Sequence, residues 1–165
     1  DYCAVLDGGF SSWESAGFQI DTGPAPSRPK TNFKGTPRPE MVADLARMEE
    51  ALGDGTCVIN ALSPGNHDGS EEHYGRPGHL PGAANVYALH LLDPVTHCYL
   101  PKAQLEALFD EITSEGQPIV TYCGGGIAAT SDAFVLKALL GRDDVTVYDG
   151  SLSEWLLDPN RPLEV

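Results

Sequence analysis

The chain has 165 residues, 41% of them hydrophobic, which is enough for one ordinary domain with a flanking segment. Lys plus Arg is 10 against 24 Asp plus Glu, a net charge of −14; such a surface repels phosphate backbones and anionic membranes, so neither nucleic acid nor a membrane is expected as a partner. No stretch reaches transmembrane length, and Cys3, Cys57, Cys98 and Cys123 show neither Cys-x-x-Cys nor zinc-ligand spacing, which fits a reduced, cytoplasmic setting and no bound metal.

Residues 4–13 read Ala-Val-Leu-Asp-Gly-Gly-Phe-Ser-Ser-Trp and residues 146–155 read Thr-Val-Tyr-Asp-Gly-Ser-Leu-Ser-Glu-Trp, with Val, Asp, Gly, Ser and Trp at matching places. A strand, an Asp-Gly turn and a Trp-bearing helical turn are therefore expected twice. The second copy closes the domain. The first is expected to be the tail (residues 1–13) of a preceding homologous domain, with 14–36, rich in Gly and Pro, as linker and 37–165 as the complete domain.

Pro39 suits a helix start, and Met41, Leu45, Met48 and Leu52 form an apolar stripe that Gly53 and Gly55 stop, which predicts one helix. Thr56 to Leu62 reads as a buried strand, Ser63 to Gly78 as a long polar loop, and Gly78 to Val86 as a turn leading into a short strand. After an irregular stretch to Tyr99, Pro101 to Ser114 predicts a second amphipathic helix carrying Leu105, Leu108, Phe109 and Ile112. Val145 to Tyr148 is a last strand and Ser151 to Leu156 a final helical turn.

Between these lies the most informative stretch, Pro118 to Leu140: an apolar run ending in Tyr122-Cys123, then Gly124, Gly125 and Gly126, then helical spacing through Phe134, Val135, Ala138 and Leu139. Glycines admit positive φ, so successive amides of this loop can turn inward around one point, and the helix start behind it adds unpaired N–H groups. Both favour an anionic sulfur, which predicts Cys123 as a nucleophile. The competing reading is a structural cysteine beside a Gly-rich turn; three consecutive glycines favour function, because glycines in a strand-to-helix turn usually mark close approach of a ligand. Strands alternating with helices predict an α/β fold, a parallel sheet with helices on both faces, and ligands at the carboxyl ends of its strands.

Cys-Gly-Gly-Gly-Ile-Ala-Ala at 123–129, Gly-His-Leu-Pro-Gly-Ala at 78–83 and Val-Tyr-Asp-Gly-Ser-Leu-Ser-Glu-Trp ending at 155 together resemble the rhodanese superfamily over roughly residues 37–160. The chain is similar to the second, catalytic domain of tandem thiosulfate and mercaptopyruvate sulfurtransferases. That likeness implies a rhodanese-like fold with a central five-stranded parallel sheet. It implies Cys123 as the catalytic residue and Gly124, Gly125, Gly126, Ile127, Ala128 and Ala129 as the loop whose amides stabilise charge on sulfur. The mercaptopyruvate pattern, Cys-Gly-Ser-Gly-Val-Thr, has hydroxyls where this chain has Gly125 and Ala128, and the thiosulfate type has basic loop residues where this one has none. Family members carry Asp-x-Arg where Asn60-Ala61-Leu62 stands here, and a substrate-gripping arginine where Asn66 stands. Asn60, Asn66 and Arg76, the basic residue of that loop, are thus the candidate substrate contacts.

The reaction implied is a cofactor-free double displacement: Cys123 takes sulfur from a small donor, an anion or enolate leaves, and the persulfide gives its outer sulfur to a thiol, cyanide or a thioredoxin-like protein. A cysteine phosphatase would need Cys-x5-Arg to hold phosphate bidentately, and the residue at that place is Ala129. The alternative from another class is a catalytically weak sulfur carrier, sensor or interaction module on the same fold.

Overall fold

Short runs of β-branched and aromatic residues, apolar on both faces, pair in parallel because helices can then bury each side. The computed structural model describes residues 3–165 and contains one five-stranded sheet. From one edge to the other its strands are β1 (Val42–Ala43), β5 (Val145–Tyr148), β4 (Ile119–Tyr122), β2 (Cys57–Asn60) and β3 (Ala84–Asn85), all parallel.

Alternation along the strands sends side chains to two cores. Val58, Val120, Tyr122 and Tyr148 face Met48 and Ala51 of α2 (Leu45–Ala51) and Leu152 and Trp155 of α6 (Ser151–Trp155). Cys57, Ile59, Ile119 and Val145 face Leu105 and Phe109 of α4 (Lys102–Asp110) and Ala133 of α5 (Ile127–Phe134). Helices cover both faces, as the alternating pattern predicts. Two further helices, α1 (Gly9–Ser15) and α3 (Pro64–His67), lie before the sheet and after β2.

Three expectations change. The single helix predicted from Pro39 to Leu52 is divided: Pro39–Met41 makes a 3-10 turn and Val42–Ala43 becomes an edge strand beside β5. The α-helix starts only after Asp44, whose carboxylate accepts the Arg47 N–H at 2.9 Å. A local cap and a β-branched residue at the sheet edge outweigh the apolar stripe. The helix expected to run on to Leu140 stays α-helical to Phe134 and then widens into a π turn, with the Leu140 N–H on the Val135 carbonyl at 2.9 Å. In the first copy of the repeat, the turn and helix form but no strand does among the described residues; Asp1 and Tyr2 lie outside them. Residues 16–38 carry neither helix nor strand. No described helix is long and apolar enough to cross a membrane.

Candidate active site

Cys123 leaves β4 at its carboxyl end, and the loop after it is clasped by the Asp149-Gly150-Ser151 turn that leads into α6. Ser151 is buried and holds φ at 50°, a conformation that costs a residue with a Cβ and persists where its surroundings enforce it. Its hydroxyl accepts the N–H groups of Cys123 at 3.0 Å and Gly126 at 3.2 Å and donates to the Tyr148 carbonyl at 2.8 Å. The Leu152 N–H bonds the Cys123 carbonyl at 3.0 Å, and Ser153 gives its N–H at 2.8 Å and its hydroxyl at 2.6 Å to the Gly124 carbonyl.

These bonds orient the loop. In a trans peptide the N–H opposes the preceding C=O, so carbonyls of Cys123 and Gly124 aimed at α6 turn the amides of Gly124 and Gly125 away from it. Among the described residues, no protein acceptor takes the N–H groups of Gly124, Gly125, Ile127, Ala128 or Ala129. The last three are the first-turn donors of α5, which a helix leaves unpaired. The expected nest of amides is thus narrower than predicted: the Gly126 amide is committed to Ser151, and among the three glycines only Gly126, at φ 85°, takes the left-handed conformation. A Cβ on Gly126 would also press on the Asp149 carbonyl oxygen at 2.8 Å.

Cys123, 2% exposed, forms part of the wall of a cleft of about 510 Å³ together with Gly124, Gly125, Ile127 and Ala128. The opposite walls come from Leu62, Tyr74, Tyr87, Leu89 and Leu92. The Tyr74 hydroxyl end occupies the space where a side chain on Gly124 would stand. Burial, with the nearby Cys123 sulfur, pushes the Tyr74 phenol up, so it is a neutral donor near neutral pH.

The three candidate substrate contacts lie elsewhere. Arg76 gives its guanidinium to the carbonyls of Pro159 at 3.2 Å and Arg161 at 2.9 Å, pinning the C-terminal segment instead of reaching the cleft. Asn60 is fully buried; its amide bonds His67 Nδ1 at 3.2 Å and its oxygen accepts the Leu62 N–H at 3.0 Å, which shapes the exit of β2. Asn66 is buried in α3, its N–H on the Ser63 hydroxyl and its side-chain oxygen without a protein partner. The Gly78-to-Ala83 motif proves architectural: the Leu80 N–H bonds the Tyr122 hydroxyl at 2.9 Å, and His79 stacks on His67 with ring centroids 3.7 Å apart. Burial, then the charge of His79, lowers the His67 pKa to about 4, so His67 stays neutral. Sequence reasoning missed Ser151, Tyr74 and Tyr87; only the length of the 63–78 loop hinted at Tyr74.

Residues 66–158, which include both Cys123 and Ser151, match the rhodanese-like domain family. The chain belongs to that family. It is 33% identical to a probable 3-mercaptopyruvate sulfurtransferase of Pseudomonas aeruginosa, over 96% of this chain and 56% of that one. It is 33% identical to the 3-mercaptopyruvate sulfurtransferase of Rattus norvegicus, over 93% and 52%. The chain thus spans about half the length of these curated relatives. Among solved structures, an anaerobic ergothioneine biosynthesis enzyme from Chlorobium limicola superposes with a TM-score of 0.83 at 26% identity, over 97% of this chain and 40% of that one.

Proposed function

We propose that this rhodanese-like domain is a sulfurtransferase in which Cys123 takes up sulfur as a persulfide and passes it to a nucleophilic acceptor. The observation that carries the reading is the seat of Cys123: a cysteine in the wall of a cleft, at the carboxyl edge of a parallel sheet, beside the amides of Gly124, Gly125, Ile127, Ala128 and Ala129, which no protein acceptor among the described residues uses. A persulfide has its charge on the outer sulfur, and fixed N–H dipoles stabilise it without reorganisation. The names of the relatives support the reaction class and thiosulfate or 3-mercaptopyruvate as the donor; the chemistry of a persulfide calls for a nucleophilic acceptor such as a thiol, cyanide or a thioredoxin-like protein. In the uptake step the Cys123 sulfur attacks the donor sulfur, a new S–S bond forms, and the electron pair of the broken bond leaves with the donor's sulfite or enolate. Residues 1–13 fit the tail of a preceding rhodanese-like domain, a reading supported by the repeated Val-x-Asp-Gly element.

The second reading, a sulfur carrier or sensor with little turnover, is favoured by Asn60, Asn66 and Arg76 all lying outside the cleft wall. One experiment weighs both: intact mass of the protein and of Cys123→Ser after exposure to each donor, followed by addition of cyanide or a thiol. Gain of one sulfur on Cys123 and its release as thiocyanate or persulfide, repeated over many cycles, is the result expected of the transferase. A single gain without repeated release would favour the carrier. No gain in either protein, from these donors or from an organic hydropersulfide, would remove both.

A further inference from the structure

Cations strengthen the hold on a small anionic donor, and the wall around Cys123 offers loop amides in their place. Among the described residues the cleft is lined by no Lys, Arg or His. Its polar side chains, besides the Cys123 thiol, are the phenols of Tyr74 and Tyr87 and the Ser131 hydroxyl, the last at 3.1 Å from the Tyr99 hydroxyl. The remainder is apolar, and much of it is open to water: Ile127 is 86% exposed and Leu89 59%. Leu89 and Leu92 also belong to a neighbouring groove with Val5, Leu6 and Phe10, so the apolar surface runs on beyond the cysteine. A net charge of −14 acts against a dianion approaching this mouth.

Resting on the sulfurtransferase reading, we infer that the Cys123 cleft takes its sulfur from an organic hydropersulfide with an apolar carbon skeleton, which lies along Leu62, Leu89, Leu92 and Ile127. The geometry suits that chemistry. The Cys123 sulfur attacks the outer sulfur of R–S–SH; the new S–S bond forms as the donor's S–S bond breaks. The electron pair leaves on R–S⁻, and the proton stays on the transferred sulfur. No oxidant or reductant is consumed, since one S–S bond replaces another. The skeleton is what distinguishes this donor from thiosulfate, and the free amides of the loop serve either one.

The test compares sulfur uptake by the full-length protein from methyl hydropersulfide, hexyl hydropersulfide and thiosulfate, as second-order rates of persulfide formation on Cys123 followed by mass. The two alkyl donors have leaving thiols of similar basicity, so their ratio reports contact with the skeleton. Each methylene removed from water is worth up to roughly a factor of four, so hexyl should exceed methyl by about tenfold or more. Hexyl should also exceed thiosulfate. Leu89→Lys, at an exposed position, should cut the hexyl-to-methyl ratio several-fold and speed thiosulfate. Equal rates for methyl and hexyl, thiosulfate as fast as hexyl, or ratios that Leu89→Lys leaves unmoved would each overturn the apolar donor while leaving the sulfurtransferase in place. Failure of all three donors and of 3-mercaptopyruvate to load Cys123 would take the sulfurtransferase reading down with it.

Discussion

Cys57 and Cys123 stand at opposite ends of neighbouring strands, and both are buried. Cys57 opens β2, which pairs in parallel with β4 from Cys57 beside Ile119 to Asn60 beside Tyr122; Cys123 follows Tyr122 directly. At the amino edge Cys57 is spoken for: its thiol donates to the Ile112 carbonyl at 3.3 Å, its N–H goes to the Pro118 carbonyl, and burial raises its pKa. Nearby, Arg142 binds Asp144 at 2.9 Å and the carbonyls of Ser114 and Gln117. At the carboxyl edge the chain departs into a loop whose Cys123 and Gly124 carbonyls are taken by α6, while the amides of Gly124, Gly125 and the first turn of α5 are left without a protein acceptor among the described residues. Identical residues, one sheet apart in direction, receive opposite treatment. The polarity of a parallel sheet decides which end has donors to spare.

The widest separation between the two cysteines should appear on substitution. Cys123→Ser should lower sulfur uptake by about three orders of magnitude or more, as loss of a nucleophile does. Cys57→Ser should leave uptake within about twofold, because a hydroxyl can still reach the Ile112 carbonyl. Initial rates with one donor would show it, and comparable losses in both would break the contrast. Next in size is Ser151→Ala. It strands the N–H groups of Cys123 and Gly126 and the Tyr148 carbonyl in a buried setting, at a cost of about 1–3 kcal/mol in denaturant unfolding. Uptake should drop roughly tenfold with it, since the loop amides lose their anchor. A Ser151→Ala protein with unchanged uptake would mean that the loop holds its shape without the clasp.

Carboxylates extend the contrast to pH. Asp132, in α5 behind the cysteine loop, is fully buried with both oxygens unpartnered, and desolvation raises its pKa well above the ordinary value. A raised folded pKa favours the fold below the unfolded value, and that advantage is lost as pH rises through the folded one. Asp132→Asn should therefore be more stable than the parent at neutral pH, by about 1 kcal/mol or more, and the gain should shrink toward pH 4. Asp144 runs the other way. Its hydrogen bonds to Arg142 lower its pKa, so its contribution is present above the unfolded value and fades as pH falls. Asp144→Asn should cost about 1 kcal/mol at neutral pH and little below pH 3. Unfolding curves from pH 3 to 8 would give slopes of opposite sign for the two variants.

How far the residues disclosed this asymmetry depends on the range of the forces involved. The strand, glycine loop and helix around Cys123 are local in sequence, and periodicity with turn chemistry was sufficient to place them. The two-faced core followed from the same patterns. Asp44 capping α2 and Val42 joining β5 involve a local competition that an apolar stripe cannot rank. Ser151 as the clasp of the loop is a contact across 28 residues at an unusual φ, and nothing in a one-dimensional pattern marks it. Arg76, chosen as the cation of its loop, turned to backbone carbonyls of a segment over 80 residues away. Charge in a sequence says what a residue can bind; only the fold says what is within reach.

The finest probe of the carboxyl edge is Gly125→Ser, which returns a hydroxyl to the place where the resembling mercaptopyruvate loops carry one. Gly125 does not use the left-handed conformation, and a Cβ there would meet Ser153 Oγ at 3.6 Å, an ordinary contact. Stability should therefore change by no more than about 0.5 kcal/mol. The new hydroxyl would stand on the loop itself, two residues from Cys123, in a wall whose polar side chains otherwise come from outside the loop apart from the cysteine. Turnover of 3-mercaptopyruvate should rise a few-fold while uptake from an alkyl hydropersulfide stays level, because the enolate leaving group gains a donor that a thiolate leaving group needs less. If both donors respond alike, the hydroxyl is acting on the sulfur itself, and the amides of the loop would be the weaker part of the site.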